Sequence, residues 1–333
     1  TTSTHSVDLA ASATISVDPI TADDIVNAAE AGGSFKVTGS VGGEASVGDS
    51  VSLAIDGTTY SATVGAGPTF SIAVPGSDLS PETTLAPPVN VIVLGVKCFS
   101  ESTPSTHSVD TSASATIVVD PITADDVVNA AEAGGSIDVT GTVGGDAAVG
   151  DSVSFDVNGT SYSGTVVAGN TFSIPVAGSD LAADSSFDAT VSGSDAVGNP
   201  FSATTTSTHT VDTIANATIA VDPITADDVI NATEAGTTID VTGTVGGDAS
   251  VGDSVSLDVN GSSFTGTVLA GNVFSITVPG SDLAADTTLD ATVSGNDTAG
   301  NPFSATTTST HNVDTSANAT NAVDPNTASL LYT

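Results

Sequence analysis

The sequence predicts an all-β protein of three tandem Greek-key β-sandwich domains in an extended array. Three observations predict it. First, the chain repeats itself: His5, His107, His209 and His311 stand 102 residues apart, each in a Ser-Thr-His-X-Val-Asp setting. Second, each period is filled with short segments in which Val, Ile, Leu and Phe alternate with Ser, Thr and Asp, the mark of strands with one wet face. Third, turn signals separate these segments about every 8–12 residues. The period is too long for a solenoid unit, which runs to about 20–50 residues. It suits separate beads, each with its own core. The predicted domains are 1–108, 109–210 and 211–312, with the truncated start of a fourth over 313–333.

The third repeat shows the elements most cleanly. Residues 218–224 alternate and predict a first strand. The acidic segment Asp227-Asp228-Val229-Ile230-Asn231-Ala232-Thr233-Glu234-Ala235-Gly236 predicts a short helical turn ended by Gly236. Ile239, Val241 and Gly243 alternate with Asp240, Thr242 and Thr244 as a second strand. Val245-Gly246-Gly247-Asp248 predicts a turn. Residues 253–259 form a third strand, with Val255, Leu257 and Val259 on one face. Asn260-Gly261 predicts a type I′ hairpin. Residues 263–268 return, 273–278 and 289–293 add two strands, and threonine-rich 303–313 runs on into the next repeat.

Seven short strands in about 100 residues is the pattern of an immunoglobulin-like sandwich. The Cys-Trp-Cys core of antibody domains is missing. The predicted core of the third repeat is Ile219, Val221, Ile239, Val241, Val255, Leu257, Val259, Phe264, Val268, Phe274, Ile276, Val278, Leu289, Val293 and Phe303.

The first repeat departs from this pattern over residues 86–98. There Ala86-Pro87-Pro88-Val89-Asn90-Val91-Ile92-Val93-Leu94-Gly95-Val96-Lys97-Cys98 replaces the sequence found at 188–200 in the second. Length is kept and chemistry is not. Two compensating frame-shifts or a sequence-assembly error account for this better than design does, and resequencing tests it. Val89, Val91 and Val93 can still supply a sixth strand. The loop after it loses its acidic residue.

Charge excludes several functions. Against 39 acidic residues stand two lysines, Lys36 and Lys97, for a formal net charge of -37. Nucleic-acid phosphates and anionic membranes repel such a chain. The remaining readings are cation binding or a salty medium, either of which relieves self-repulsion. The one cysteine, Cys98, rules out a disulfide framework. No apolar run reaches the ~18–20 residues of a membrane helix. The missing methionine at position 1 predicts a fragment or processed piece.

Calcium takes six to eight oxygen ligands. Three sets of residues offer them. The first is Asp125, Asp126, Asn129 and Glu132, repeated as Asp23, Asp24, Asn27 and Glu30 and as Asp227, Asp228, Asn231 and Glu234. The alternative is a solvated acidic turn with an aspartate capping a helix. The second is Asp195 with Asn199, repeated as Asp297 with Asn301 in an Asp-X-X-Gly-Asn loop. An ordinary turn accounts for these residue types equally well. In the expected strand order the first two sets do not sit together. The third is the junction aspartates Asp110, Asp212 and Asp314. The histidines read as polar linker residues, because no nucleophile motif accompanies them.

Together, the Val-Asp-Pro-Ile-Thr-Ala-Asp-Asp segment, the Gly-Thr-Val-Gly-Gly-Asp turn, the Asp-X-X-Gly-Asn-Pro-Phe loop and the Ser-Thr-His-X-Val-Asp junction resemble the bacterial immunoglobulin-like repeats of giant RTX-type adhesins. The resemblance covers nearly the whole chain, except 86–98 and the tail. It implies sandwiches stiffened by calcium ions (Ca2+), type I secretion to the bacterial cell surface, and a spacer role in adhesion or biofilm formation. The family's calcium ligands would map onto the three sets above.

The expected function is therefore an extracellular extender that carries distal binding domains, a monomeric rod whose partners are calcium and neighbouring repeats. No catalytic motif is present. The alternative is a direct binding module for ice, glycan or another cell. Against it, Thr204-Thr205-Thr206 alternate faces in a strand and make no flat array. The three tyrosines share no repeat position across all three modules.

Overall fold

The computed structural model describes residues 2, 12–55, 57–81, 84–85, 90–92, 98–100 and 104–316. His5, Lys97, most of the 86–98 window and the tail from 317 onward lie outside the described residues. The described chain is all-β with a few short helices. No helix among the described residues is long and apolar enough to cross a membrane. The chain divides into two compact units. One comprises Thr1–Asp120, Asp138–Pro175 and Ser186–Thr208, the other Pro121–Ile137, Val176–Ser185 and His209–Thr333.

In the second unit, the third repeat folds as two antiparallel sheets. One has three strands in the order Ala217–Val221, Thr238–Gly247, Val273–Pro279. The other has four in the order Ser262–Thr267, Ser254–Val259, Thr288–Asn296, Pro302–Thr310. The chain changes sheet after the second, fourth and fifth strands, a Greek-key path. Alternating side chains of both sheets meet in one core that includes Val241, Phe274, Val278, Val255, Leu257, Leu289 and Val293. Fully burying each such side chain contributes about 1.5–3 kcal/mol. Asn260 and Gly261 both have positive φ, +49° and +72°, as a type I′ hairpin requires.

The first unit holds the same architecture in the first repeat. Its sheets run Ala13–Val17, Ser34–Gly43, Thr69–Pro75 and Thr58–Thr63, Ser50–Ile55, Asn90–Ile92, Cys98–Ser100. Their core includes Val37, Val51, Leu53, Ile55, Phe70, Ile72 and Val74. The predicted sixth strand thus forms within the aberrant window over Asn90–Ile92, paired with both neighbours.

Several expectations need correction. The predicted turn at Val245-Gly246-Gly247 is the end of the second strand, where Ile219 pairs with Val245 and Ala217 with Gly247. Val221, Ile239 and Phe264 are only partly buried, and Ile224, Ile230 and Leu283 join the core instead. The seventh strand breaks at His311 into Pro302–Thr310 and Asn312–Asp314. The break has a physical cause. His107, His209 and His311 are not solvated linker residues but are 5–6% exposed. Each Nε2 hydrogen-bonds the carbonyl of Leu79, Leu181 or Leu283, at 3.0, 2.8 and 2.7 Å. Those leucines lie in the short helices Gly76–Leu79, Gly178–Ala183 and Gly280–Ala285.

Candidate functional site

The site lies where one repeat hands over to the next, and local backbone chemistry builds it. Asp24, Asp126 and Asp228 adopt φ of +60°, +61° and +57°. A short carboxylate can support this conformation by bonding its own backbone neighbourhood. Here Oδ1 of each accepts the amide four residues back, from Ile20, Ile122 and Ile224, at 3.0 Å. The turn sends the following residues alongside the linker. Val127 and Val128 pair in parallel with Thr210 and Val211, and Ile25 and Val26 with Ser108 and Val109.

A capping box comes next. Asn129 Oδ1 accepts the amides of Ala131 and Glu132, and Glu132 Oε2 accepts the amide of Asn129 at 2.9 Å. Asn27 and Glu30 form the same box. The cap is therefore asparagine, not the aspartate the sequence suggested. With its oxygen so engaged, the cap's Nδ2 reaches outward. Asn27 Nδ2 donates to Val197 O at 2.9 Å, and Asn129 Nδ2 to Ala299 O at 3.0 Å.

That contact brings in the second predicted set. The acidic segment meets the Asp-X-X-Gly-Asn loop of the following repeat, whereas the expectation that the two sets stay apart concerned a single sandwich. Asn199 and Asn301, 2% and 3% exposed, fill the contact. Asn199 Oδ1 accepts the Ala28 amide at 2.7 Å, and its Nδ2 donates to Asp110 O at 2.8 Å and Asp195 Oδ2 at 2.7 Å. Asn301 repeats the pattern with Ala130, Asp212 and Asp297 at 2.7, 2.8 and 2.8 Å. At each of these junctions one member of each predicted set meets the others: the cap asparagine Asn27 or Asn129, the backbone carbonyl of Asp110 or Asp212, and the loop asparagine Asn199 or Asn301 with its own Asp195 or Asp297. Strand order within one repeat could not reveal this, because the partners come from consecutive repeats.

The fold has close counterparts among solved structures. A structure of a 1.5-MDa bacterial ice-binding adhesin, concerned with its host cell surface retention, matches with a TM-score of 0.83. It is 47% identical over 92% of this chain and 99% of that one. The chain belongs to the bacterial ice-binding adhesin family. A Ca2+-stabilized adhesin that helps an Antarctic bacterium reach out and bind ice matches with a TM-score of 0.70, at 49% identity over 94% of this chain and 77% of that one. No protein-family model and no curated protein matches the chain.

The electrostatics of these adhesin junctions follow from the bonds. Burial opposes ionisation of Asp195. The Asn199 side chain and the backbone amides of Asn199, Val197 and Gly198 outweigh it and hold the carboxyl below its ordinary value. At Asp297 the Asn301 side chain is the main cause of the same lowering, with burial opposing. The Thr21 hydroxyl and the Ile25 amide lower Asp23. Asp125 and Asp227 make equivalent local bonds to Thr123 with Val127 and to Thr225 with Val229. A cleft of about 350 Å3 at the second junction has Asp125, Asp212 and Thr298 in its walls.

The donors are oxygens, mostly anionic, which suits a hard cation. Among the described residues, no three His, Cys, Asp or Glu side chains gather into a closed metal group. The third junction has the same frame. Asn231, Glu234 and Asp314 stand in place, with Asn231 paired to Asp314 and a 3-10 turn over Glu234–Gly236. The histidine latch escaped the sequence reading, yet a signal existed. Gly-Ser-Asp-Leu recurs a fixed distance before each of the three buried histidines.

Proposed function

We propose that the chain is a calcium-stiffened spacer of a secreted bacterial cell-surface adhesin of the RTX type. It would project distal ligand-binding domains for adhesion and biofilm formation after type I secretion. Each 102-residue repeat acts as one spacer module. The observation that carries this reading is the convergence, at two successive junctions, of Ala130, Asp212 and Asp297 or their counterparts Ala28, Asp110 and Asp195 on one peg-like asparagine. A spacer needs junctions that are built alike.

Calcium would be held at the second junction by the carboxylates of Asp125 and Asp212, which share one cleft, and by their equivalents in the other repeats. Backbone carbonyls and water would complete its oxygen shell. When bound, the ion neutralises clustered negative charge. The side chains of Asn199 and Asn301 are engaged with protein, and we assign them to holding the loop. No catalytic step is assigned to the chain.

Thermal unfolding of the whole chain in millimolar calcium and in excess chelator tests the proposal. A calcium-dependent rise in Tm is expected, because a ligand of the folded state alone stabilises it. Superimposable curves overturn the calcium reading and leave a plain acidic sandwich.

One observation favours direct contact with ice or glycan instead. Ser304, Thr306, Thr308 and Thr310 are exposed on one face of their strand. Across the sheet Thr292 stands opposite Thr306, and Ser294 opposite Ser304. Neighbouring strands therefore build the hydroxyl rows that a single strand cannot. Ice-shaping and glycan-binding assays on this chain decide it, and a positive result in either displaces the pure spacer.

A further inference from the structure

We infer that His209, like its counterparts His107 and His311, is a positioning residue for the junction cation. It is no ligand. It holds the exit segment of its repeat where the Asp212 carboxylate can meet that of Asp125. This role rests on the calcium reading above and deepens it.

Three separate segments of the second repeat meet around this residue. They are the acidic segment within 121–137, the short helix within 176–185 and the exit segment from His209, and all three belong to the second compact unit. The helix Gly178–Ala183 sits on the acidic segment backbone to backbone. Gly178 N donates to Gly135 O at 2.9 Å, and a Cβ on Gly178 would stand 2.0 Å from Glu132 O. The acidic segment also holds one side of the exit segment. Thr210 N donates to Asp126 O at 3.0 Å, and Asp212 N to Val128 O at 3.1 Å. On the side toward the helix, His209 makes the bonds. Its backbone N donates to Ser185 O at 3.0 Å, and its Nε2 to Leu181 O at 2.8 Å. The three segments thus close a ring.

The same ring recurs in the other repeats. In the first, Gly76 N donates to Gly33 O, Glu30 O lies 2.2 Å from where a Cβ on Gly76 would be, and His107 bonds Leu79 O. In the third, Gly280 N donates to Thr237 O, Glu234 O lies 2.0 Å from where a Cβ on Gly280 would be, and His311 bonds Leu283 O. Each histidine stands three residues before its junction aspartate, Asp110, Asp212 or Asp314.

The chemistry asked of the side chain is narrow. A carbonyl only accepts, so Nε2 must carry a proton. Nδ1 of all three histidines is buried without a hydrogen-bond partner. What the residue supplies is therefore one donor at the tip of a flat side chain. Without it the Leu181 carbonyl is left unpaired, which favours a displaced exit segment. Asp125 and Asp212 reach their shared cleft from different segments. A cation site of this kind binds only while both stand in place, and its apparent affinity falls with that fraction. Removing a group that orients a metal ligand typically costs about 10–100-fold in affinity.

The test titrates calcium, at buffered free concentrations, into the whole 15N-labelled chain and follows the amides of Asp110 and Asp212. Asp110 reports the untouched first junction in the same molecule. His209→Phe keeps a ring in the site but has no donor. Its Asp212 midpoint should move at least about tenfold to higher calcium, or about 1.4 kcal/mol, while the Asp110 midpoint stays. His209→Gln, whose amide reaches about as far as Nε2, should restore the Asp212 midpoint. In excess chelator, hydrogen exchange of the Asp212 amide should be faster in His209→Phe than in the parent or in His209→Gln. Should phenylalanine unfold the repeat, His209→Asn, whose amide stops short of Leu181 O, takes its place. An unchanged Asp212 midpoint in a folded variant without the donor, or a glutamine variant as weak as that one, overturns this role alone. No response at either aspartate in the parent overturns the calcium reading and this role with it.

Discussion

Asn301 Oδ1 accepts the backbone amide of Ala130 across 171 positions of sequence at 2.7 Å, and Asn199 does the same to Ala28. One buried amide group thus ties the start of one repeat to a loop of the next. Replacing Asn301 with alanine leaves the Ala130 amide, the Asp212 carbonyl and the Asp297 carboxylate without this partner. Such losses cost about 1–3 kcal/mol for a buried group. Urea unfolding of Asn301→Ala should show this cost. Asn231→Ala, which removes a cap, should cost less. No measurable cost for Asn301→Ala, which removes no helix cap, would contradict a stabilising role for the cross-junction bonds.

Acid should weaken the same contact. Asp195 and Asp297 are held below the ordinary value of 3.8. A carboxyl depressed in the folded state stabilises above its unfolded value, and that contribution is lost as pH falls through the folded value. The difference in unfolding free energy between the parent and Asp297→Asn should therefore be largest near neutral pH. It should shrink progressively below about pH 4. Comparing the two chains cancels the relief of general self-repulsion as the other carboxylates protonate. A difference that does not change with pH would contradict the assignment.

Gly243 has no room for a side chain. A Cβ there would stand 2.1 Å from the Ala220 carbonyl oxygen and 2.6 Å from the Phe274 ring. Backbone cannot yield as a flexible side-chain tip can. Gly243→Ala should lose about 3 kcal/mol, at the upper end for overpacking. Gly261→Ala, in the hairpin turn, meets open space and should lose less despite its positive φ. Thermal melts of the two variants rank them directly.

The histidine latch should also matter to stability. His311→Ala removes the bond to Leu283 O and opens a void beside a fully buried leucine. A loss on the order of 2 kcal/mol is expected from the unpaired carbonyl alone. Calorimetry should show it as a lowered Tm.

Much of the fold was legible because its signals are local. Val255, Leu257 and Val259 alternate with polar residues, and Asn260-Gly261 can only turn tightly, so that hairpin follows from a few neighbours. The Val245-Gly246-Gly247 error has the opposite cause. Glycines that usually signal a turn here let two strands approach, as Gly246 does over the Thr218 hydroxyl. The residues of the junction were legible as types, not as an assembly. Asp126, Asp212 and Asp297 stood out by repetition, but their meeting depends on which repeat supplies which loop. His311 was misread because a polar residue in a linker normally faces water, and nothing near it in sequence announces the Leu283 carbonyl.

The parallel pairing at each junction has a mechanical consequence. Residues 127–128 connect toward the start of their repeat, and 210–211 lead out of it, yet the two segments run in the same direction. Tension on the chain therefore pulls them in opposite directions along their shared axis. The bonds from Thr210 to Asp126 and from Asp212 to Val128 are loaded together in shear instead of being peeled one after another. An adhesin held in flowing water would meet its load where its backbone resists sliding.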